Sequence, residues 1–311
     1  MSKLKEWLNS IGYTQELEVV SADASFRKYY RVKSSSDSVV VMDSSLQKES
    51  LLPFIDIANR LYEAKVKSPK ILHSNLEDGF LVMEDLGSTH LFNKLDDDFE
   101  LYYAKAIKNI AKMQNTDTVG LPNYDEEFLS FEMSLMQEWY LAKYLNINLD
   151  HKQQIQLSNT LDYIVTQVMS QPQGVFVHRD YHSRNIMLLE SSSEVVVIDY
   201  QDARVGAITY DLVSLLRDVY VELNPTLVKK MALTFKSSKN IDVDNDTFMR
   251  WFDFMGLQRH IKILGVFARL SIRDGKDDYL KSIPLTLKYI KEVSLKYEET
   301  TGLIGLLEDG V

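Results

Sequence analysis

The order of strand-like and helix-like patterns is the feature that most constrains the fold of this chain. Three short β-type runs lie between Glu18 and Asp43, a helical pattern follows at 52–66, and two more β-type runs precede a glycine break. Beyond that break long helical patterns dominate. The sequence therefore predicts an α+β fold with two lobes. A small, sheet-rich lobe is expected at 1–86 and a larger, mostly helical lobe at 87–311.

One pair of strand patterns interrupts the helical lobe. The runs NIMLL and VVVIDY are joined by the turn-forming ESSS, which predicts a β-hairpin in which Asn185 faces Ile198 and lies one position from Asp199. An amide oxygen and a carboxylate then meet at the open end of the hairpin, and hard oxygen ligands of this kind suit Mg²⁺. Asp180, five residues before Asn185, is placed to accept a proton beside that metal.

Composition narrows the class of protein further. The net charge of −10 gives no electrostatic attraction to nucleic acid or to an anionic membrane surface. The chain has no cysteine, which excludes disulfides, Cys-ligated zinc sites and a thiol nucleophile. There is neither a signal-peptide pattern nor a long apolar run. We therefore expect a cytoplasmic protein with no nucleic-acid or membrane partner, and nothing in the sequence indicates a protein partner.

The segment VFVHRDYHSRNIMLLESSSEVVVIDYQD, residues 175–202, resembles the catalytic loop and metal-binding hairpin of the protein-kinase-like fold. Its form, HRDxHxxN with IDYQD, is similar to that of the aminoglycoside and choline phosphotransferases. The segments 205–220 and 255–284, with ADASFRKYYRV, VVVMD and LVMEDLG, resemble the bacterial anomeric amino-sugar kinases. These enzymes phosphorylate N-acetylmuramate and N-acetylglucosamine at the C1 hydroxyl. The resemblance covers almost the whole chain.

The resemblance implies an ATP- and Mg²⁺-dependent small-molecule kinase and assigns roles to the residues of the loop and hairpin. Asp180 would be the catalytic base, and Asn185 and Asp199 would hold the metal. His178 and Asp211 would support the catalytic loop. The remaining two candidates have two interpretations each: His182 as an acceptor-side residue or a buttress of the metal site, and Asp202 as a functional group or a turn residue.

The first lobe departs from the protein-kinase pattern. The loop SADASFRKYYRV has no glycine, although Ser25 is small enough to allow close approach to phosphates, and VVVMD has Met42 and Asp43 where a lysine would stand. A phosphate-binding cation must come from elsewhere, and the candidates are Arg27, Lys28 and Arg31. Glu84 and Leu86 lie at the expected hinge, where their backbone groups would bind adenine.

A basic stripe is visible without reference to any family. No acid occurs between Phe254 and Arg273, and the basic residues there have helical spacing. These are Arg259, Lys262, Arg269 and Arg273. The stripe either pairs with acidic helices or forms an anion-binding wall of the acceptor site, in which Arg259 and Arg269 would favour the carboxylate of N-acetylmuramate.

Three other functions are weighed against this interpretation. A protein kinase needs a longer activation segment than the eleven residues between Asp199 and Asp211, and an APE sequence, which is absent. An aminoglycoside or choline acceptor would favour acidic or aromatic walls rather than a basic stripe. A nucleotide-binding pseudokinase would fit the missing lysine, but not the intact Asp180, Asn185 and Asp199.

Overall fold

The computed structural model describes residues 2–21, 27–33, 38–95, 98–189 and 192–308. It has the two-lobed α+β architecture that the sequence predicts. The first lobe is a five-stranded antiparallel sheet in the order β1-β2-β3-β5-β4, with one helix on each face. Its elements are α1 (Ser2–Ser10), β1 (Glu18–Ser21), β2 (Lys28–Lys33), β3 (Ser38–Asp43), α2 (Leu51–Glu63), β4 (Ile71–Asn75) and β5 (Phe80–Glu84).

The two faces of this sheet are buried against different helices because side chains alternate along a strand. Val41 of β3 and Val82 of β5 pack in one apolar cluster with α1. Met42 and Leu81, their neighbours in sequence, pack in the main core with α2. The strand patterns thus specify both layers of the lobe.

The second lobe is mostly helical. Its elements are α3 (Phe99–Met113), α4 (Glu126–Leu135), a π-helix (Met136–Tyr144), α5 (His151–Met169), β6 (Val175–Val177), β7 (Ile186–Leu188), β8 (Val195–Val197), β9 (Arg204–Gly206), α6 (Tyr210–Leu216), α7 (Pro225–Ser238), α8 (Asn245–Asp274), α9 (Ile283–Ser294) and α10 (Gly302–Glu308). Within the described ranges, no helix has both the length and the apolar character needed to cross a bilayer.

Helix α8 is the centre of this lobe, and it is buried on all sides from Trp251 to Gly265. Gly265 lies against the junction of α4 and the π-helix, where an added Cβ would be 2.3 Å from the backbone carbon of Leu135. Only glycine therefore allows this approach. The helical pattern of the sequence is continuous over residues 126–146, but the structure changes to π-helical hydrogen bonding at Met136, next to this contact.

The predicted hairpin is confirmed in its register. Strands β7 and β8 pair Ile186 with Val197, and the backbone N–H of Ile198 donates to the carbonyl of Asn185 at 3.1 Å. The pairing of β6 with β9 was not predicted. Each of these strands has only three residues, too few for the alternation that identifies a strand in sequence.

Candidate active site

The carboxylate of Asp211 binds the backbone of the catalytic loop and holds it in place. Its Oδ2 and Oδ1 accept from the backbone N–H groups of His178 and Arg179, at 2.8 and 3.1 Å. The ring of His178 continues the support, because Nε2 lies 3.0 Å from the carbonyl of Ile198 and Nδ1 accepts from the N–H of Asp180 at 3.3 Å. Burial raises the pKa of Asp211 to about 6 and lowers that of His178. A neutral imidazole suits this arrangement, since one ring nitrogen donates and the other accepts.

A second buried carboxylate, Asp218, supports the other end of the loop. It accepts from the N–H groups of Ser183 at 2.8 Å and Tyr220 at 2.9 Å, and the residue is only 1% exposed. Sequence analysis did not identify Asp218. Its signal is an acid in the apolar context LLRDVY, which indicates a buried carboxylate that must be hydrogen-bonded.

Asp180, Asn185 and Asp199 converge at the open end of the hairpin. Nδ2 of Asn185 donates to the carbonyl of Asp180 at 3.1 Å and to Oδ2 of Asp199 at 3.3 Å. The other oxygen of Asp199 accepts from Nε2 of Gln201 at 3.0 Å. Asp199 has a φ of +62°, a left-handed conformation that is uncommon for non-glycine residues and is tolerated best by Asn and Asp among them.

The donor set at this point fits one Mg²⁺. An amide and a carboxylate lie within hydrogen-bonding distance of each other, and Mg²⁺ sites typically use one or two protein oxygens and leave other positions to water and phosphate. Among the described residues no cluster of three or more His, Cys, Asp or Glu side chains forms an all-protein metal cage. Burial, with the nearby charge of Asp180, raises the pKa of Asp199, so a cation would stabilise its ionised form.

Asp180 is surrounded by positive charge. Burial alone would raise its pKa, but Lys262, Arg259, His182 and Arg179 hold that pKa well below its ordinary value. Arg259 donates to the carbonyl of Arg179 at 3.0 Å and has its Nη1 3.9 Å from Oδ1 of Asp180. The Asp180 side chain is 42% exposed, so an ionised carboxylate faces the cleft.

The basic stripe divides into different roles. Lys262 and Arg179 both bind Oε1 of Glu132, at 3.1 and 2.6 Å, and Tyr124 donates to its other oxygen. Arg273, in contrast, pairs with the adjacent Asp274 on the surface. The stripe therefore does pair with acids, one of them on α4. Sequence analysis did not identify Glu132.

Arg259 and Arg269 differ in how much surface they offer to a substrate. The structure buries Arg259 to 3% exposure beneath the catalytic loop, which leaves little of its guanidinium for the wall of an acceptor site. Arg269, further along α8, is partly exposed. Of the other acceptor-side candidates, the His182 ring lies edge-on to Tyr220, with centroids 5.1 Å apart, and Asp202 is exposed on the turn after the hairpin.

The hinge between the lobes is clamped on both sides. Arg31 binds Asp85 with two bonds of 2.6 and 2.9 Å and also donates to the carbonyl of Gly87 at 2.9 Å. On the other side, the N–H of Leu188 donates to the carbonyl of Thr89 at 2.9 Å. Arg31 is thus committed to the hinge rather than to the cleft.

A small apolar cluster lies at the hinge. Leu86 packs there with Met187 and Val196, all three of them buried, and Glu84 precedes Leu86 at the end of β5. Lys28 is exposed, whereas Arg27 is buried. Ser25 lies outside the described residues.

Residues 16–235 match the protein-family model described as phosphotransferase enzyme family, APH. The chain belongs to the APH phosphotransferase family. Two curated members are N-acetylmuramate/N-acetylglucosamine kinases. The protein from Neisseria meningitidis serogroup B is 37% identical, with 98% of this chain and 94% of that protein covered. The protein from Pseudomonas aeruginosa is 36% identical, with 94% and 88% covered.

Solved structures of APH-type kinases share the fold. The ADP-bound aminoglycoside phosphotransferase APH(2'')-Ib and the choline kinase LicA from Streptococcus pneumoniae both align with a TM-score of 0.66, over 93% of this chain and 97% of theirs. An ethanolamine kinase from Plasmodium vivax aligns with a TM-score of 0.68. Identities of 13–14% limit these similarities to the fold. Together with the family match, they identify the chain as a kinase-type phosphotransferase enzyme.

Proposed function

We propose that this APH-family enzyme uses ATP and Mg²⁺ to phosphorylate the anomeric C1 hydroxyl of N-acetylmuramate and N-acetylglucosamine. The convergence of Asp180, Asn185 and Asp199 at one end of the hairpin carries the proposal. The substrate class is supported by the relatives of similar length, which are named as kinases for these two sugars.

Asp180 would accept the proton of the sugar hydroxyl as that oxygen attacks the γ-phosphorus in line. Its carboxylate is suited to this role because the surrounding cations keep it ionised while it remains accessible from the cleft. Asn185 and Asp199 are the residues that would hold Mg²⁺. When bound, the metal would neutralise negative charge on the phosphates.

The nucleotide base would lie against the hinge. The small apolar cluster of Leu86, Met187 and Val196 lies at the hinge, where a flat aromatic ring would pack against its edge. Backbone groups of Glu84 and Leu86 would then bind the edge of adenine, which requires no particular side chain. The lobe of 1–86 would thus bind the nucleotide, and the lobe of 87–311 would carry catalysis and the acceptor.

The acceptor would occupy the cleft next to Asp180. His182 and Asp202 flank this position, and Arg269 is the member of the basic stripe proposed to bind the lactyl carboxylate of N-acetylmuramate. We assign Arg259 to the support and charge of Asp180 instead, because its guanidinium donates to the loop backbone. A charge-assisted hydrogen bond from Arg269 would favour N-acetylmuramate by roughly tenfold to a hundredfold in kcat/KM.

The test is ATP consumption over a panel of four acceptors: N-acetylmuramate, N-acetylglucosamine, an aminoglycoside and choline. Phosphorus NMR of the product then identifies the phosphorylated hydroxyl. We expect both sugars to be phosphorylated at C1. Turnover of only the aminoglycoside or choline, or a phosphate ester at another hydroxyl, would contradict the proposal. Arg269→Ala tests the carboxylate contact, with the exposed Arg273→Ala as control: only the former should reduce the preference for N-acetylmuramate.

A further inference from the structure

The first lobe lacks a lysine at the end of β3, and the structure points to a replacement. Met42 is fully buried there, and Asp43 would repel phosphate. We propose that Arg27 supplies the cation that binds the nucleotide phosphates from this lobe. The inference rests on the proposed function and deepens it, because it assigns phosphate recognition to a residue that directly precedes β2.

A chain of aromatic contacts places Arg27 near the metal hairpin. Its guanidinium carbon lies 5.7 Å from the centre of the Phe54 ring on α2. The Phe54 ring in turn lies 4.8 Å from the ring of Tyr200, the residue after Asp199. Arg27 itself is only 7% exposed. Its position is therefore set by packing between the two lobes.

Arg27 also contacts Tyr29 on β2. Burial raises the pKa of Tyr29 to about 12, and the charge of Arg27 and a hydrogen bond with it oppose that effect. Tyr29 itself packs against the main core, so this contact helps to fix the position of the Arg27 side chain.

The other two candidate cations are less suited. Arg31 uses Nε and Nη2 for the two oxygens of Asp85, and Nη2 also for the carbonyl of Gly87. Lys28 is exposed and lies opposite Asp43 in the pairing of β2 with β3, whereas Arg27, which precedes β2, is buried. An exposed lysine opposite a carboxylate is less suited to bind phosphate.

The chemistry of an arginine makes the inference specific to phosphate. A planar guanidinium matches the geometry of phosphate oxygens with two parallel N–H bonds and stays charged at every physiological pH. It offers nothing comparable to the uncharged nucleoside. Arg27 should therefore recognise nucleoside di- and triphosphates through the phosphates and contribute little to binding of adenosine.

The experiment measures affinity by isothermal titration calorimetry for adenosine, AMP, ADP and ATP, first in EDTA and then with Mg²⁺. EDTA removes any metal bound by Asn185 and Asp199, so the contribution of Arg27 to phosphate binding is measured without that of the metal. We expect Arg27→Met to weaken ADP and ATP binding by about tenfold to a hundredfold, the loss of one or two charge-assisted hydrogen bonds, and adenosine binding by less than about threefold.

The matched control is Lys33→Met. Lys33 is the last residue of β2 and pairs with Glu18 at 2.8 Å, and both side chains are more than half exposed. Its replacement should leave all four affinities unchanged. If Arg27→Met does not fold, Arg27→Gln keeps part of the side chain and its hydrogen bonding without the charge, and it should show the same phosphate-specific loss.

Two results would overturn the assignment. The first is an equal loss of affinity for adenosine and for ADP in Arg27→Met, which would make Arg27 a packing residue. The second is a loss of affinity for ADP and ATP alone that appears in Lys28→Met and not in Arg27→Met. Failure of the proposed function looks different. In that case the wild-type protein would bind neither ADP nor ATP, or would bind them without phosphorylating either amino sugar.

Discussion

The buried carboxylate of Glu132 offers the sharpest test of the electrostatics beneath the catalytic loop. Its side chain is 4% exposed, and its two cationic partners, Arg179 and Lys262, are 16% and 10% exposed. Glu132→Gln keeps the shape but removes the carboxylate that both buried cations bind directly. Breaking a buried ion pair in this way costs about 3–5 kcal/mol of unfolding free energy. For a chain of 311 residues, an unfolding entropy of about 2.1 cal/mol/K per residue converts this loss to roughly 5–8 °C in Tm.

The dependence on pH gives the prediction a second readout. Burial raises the pKa of Glu132, but Lys262, Arg179 and the Tyr124 hydroxyl bring it below its ordinary value. A carboxylate with a depressed folded pKa contributes stability above its unfolded pKa of about 4.3, and this contribution is lost as the pH falls through the lower folded pKa. The difference in unfolding free energy between wild type and Glu132→Gln should thus be constant from about pH 6 to 8. It should become smaller only below about pH 4.

Urea denaturation across this pH range, followed by circular dichroism, measures both effects. Glu138→Gln is the matched control, because Glu138 pairs with Lys143 at the same 2.6 Å but is 55% exposed. An exposed pair contributes about 0–1 kcal/mol, so this variant should be nearly neutral. The reasoning would be refuted if the two variants lost equal amounts of unfolding free energy. It would also be refuted if the loss in Glu132→Gln persisted unchanged at pH 3.

Three further variants test the loop and the hairpin. Asp180→Asn should lower kcat by about 10²–10⁴ while ADP affinity in calorimetry is retained, and near-normal turnover would remove Asp180 from the mechanism. Asp199→Ala should abolish the gain in ADP affinity that Mg²⁺ provides over EDTA; a gain that survives would contradict the metal assignment. Asp218→Asn leaves Ser183 or Tyr220 without an acceptor, so it should cost about 1–3 kcal/mol in urea and lower kcat. Unchanged stability would show that this carboxylate does not brace the loop.

Local patterns account for what could be predicted from the sequence. The hairpin register follows from a short turn between two apolar runs, and it correctly brings Asn185 next to Asp199. The two lobes follow in the same way, because strands and helices have different apolar periods. None of these predictions required knowledge of which elements pack together.

The features that could not be predicted from the sequence depend on contacts between distant segments of the chain. The spacing of the stripe on α8 is visible in sequence, but whether Arg259 faces a substrate or the catalytic loop depends on which helix packs beside it. Glu132 binds Arg179 and Lys262, which are 47 and 130 residues away in sequence, and Asp218 binds Ser183, which is 35 residues away. The π-helix that begins at Met136 lies against Gly265, and these two segments meet only in the folded chain.

The clamps around the hinge limit where the cleft can open. Arg31 ties Asp85 and the carbonyl of Gly87 to the strands of the first lobe, while Thr89 is bonded to β7 of the second. A rotation of one lobe against the other would turn the covalent connection between Gly87 and Thr89, where Gly87 already has a φ of +82°. It would also break the bond from the N–H of Val197 on β8 to the carbonyl of Lys67, at 3.0 Å, so opening of the cleft is opposed by this bond as well as by the short connection.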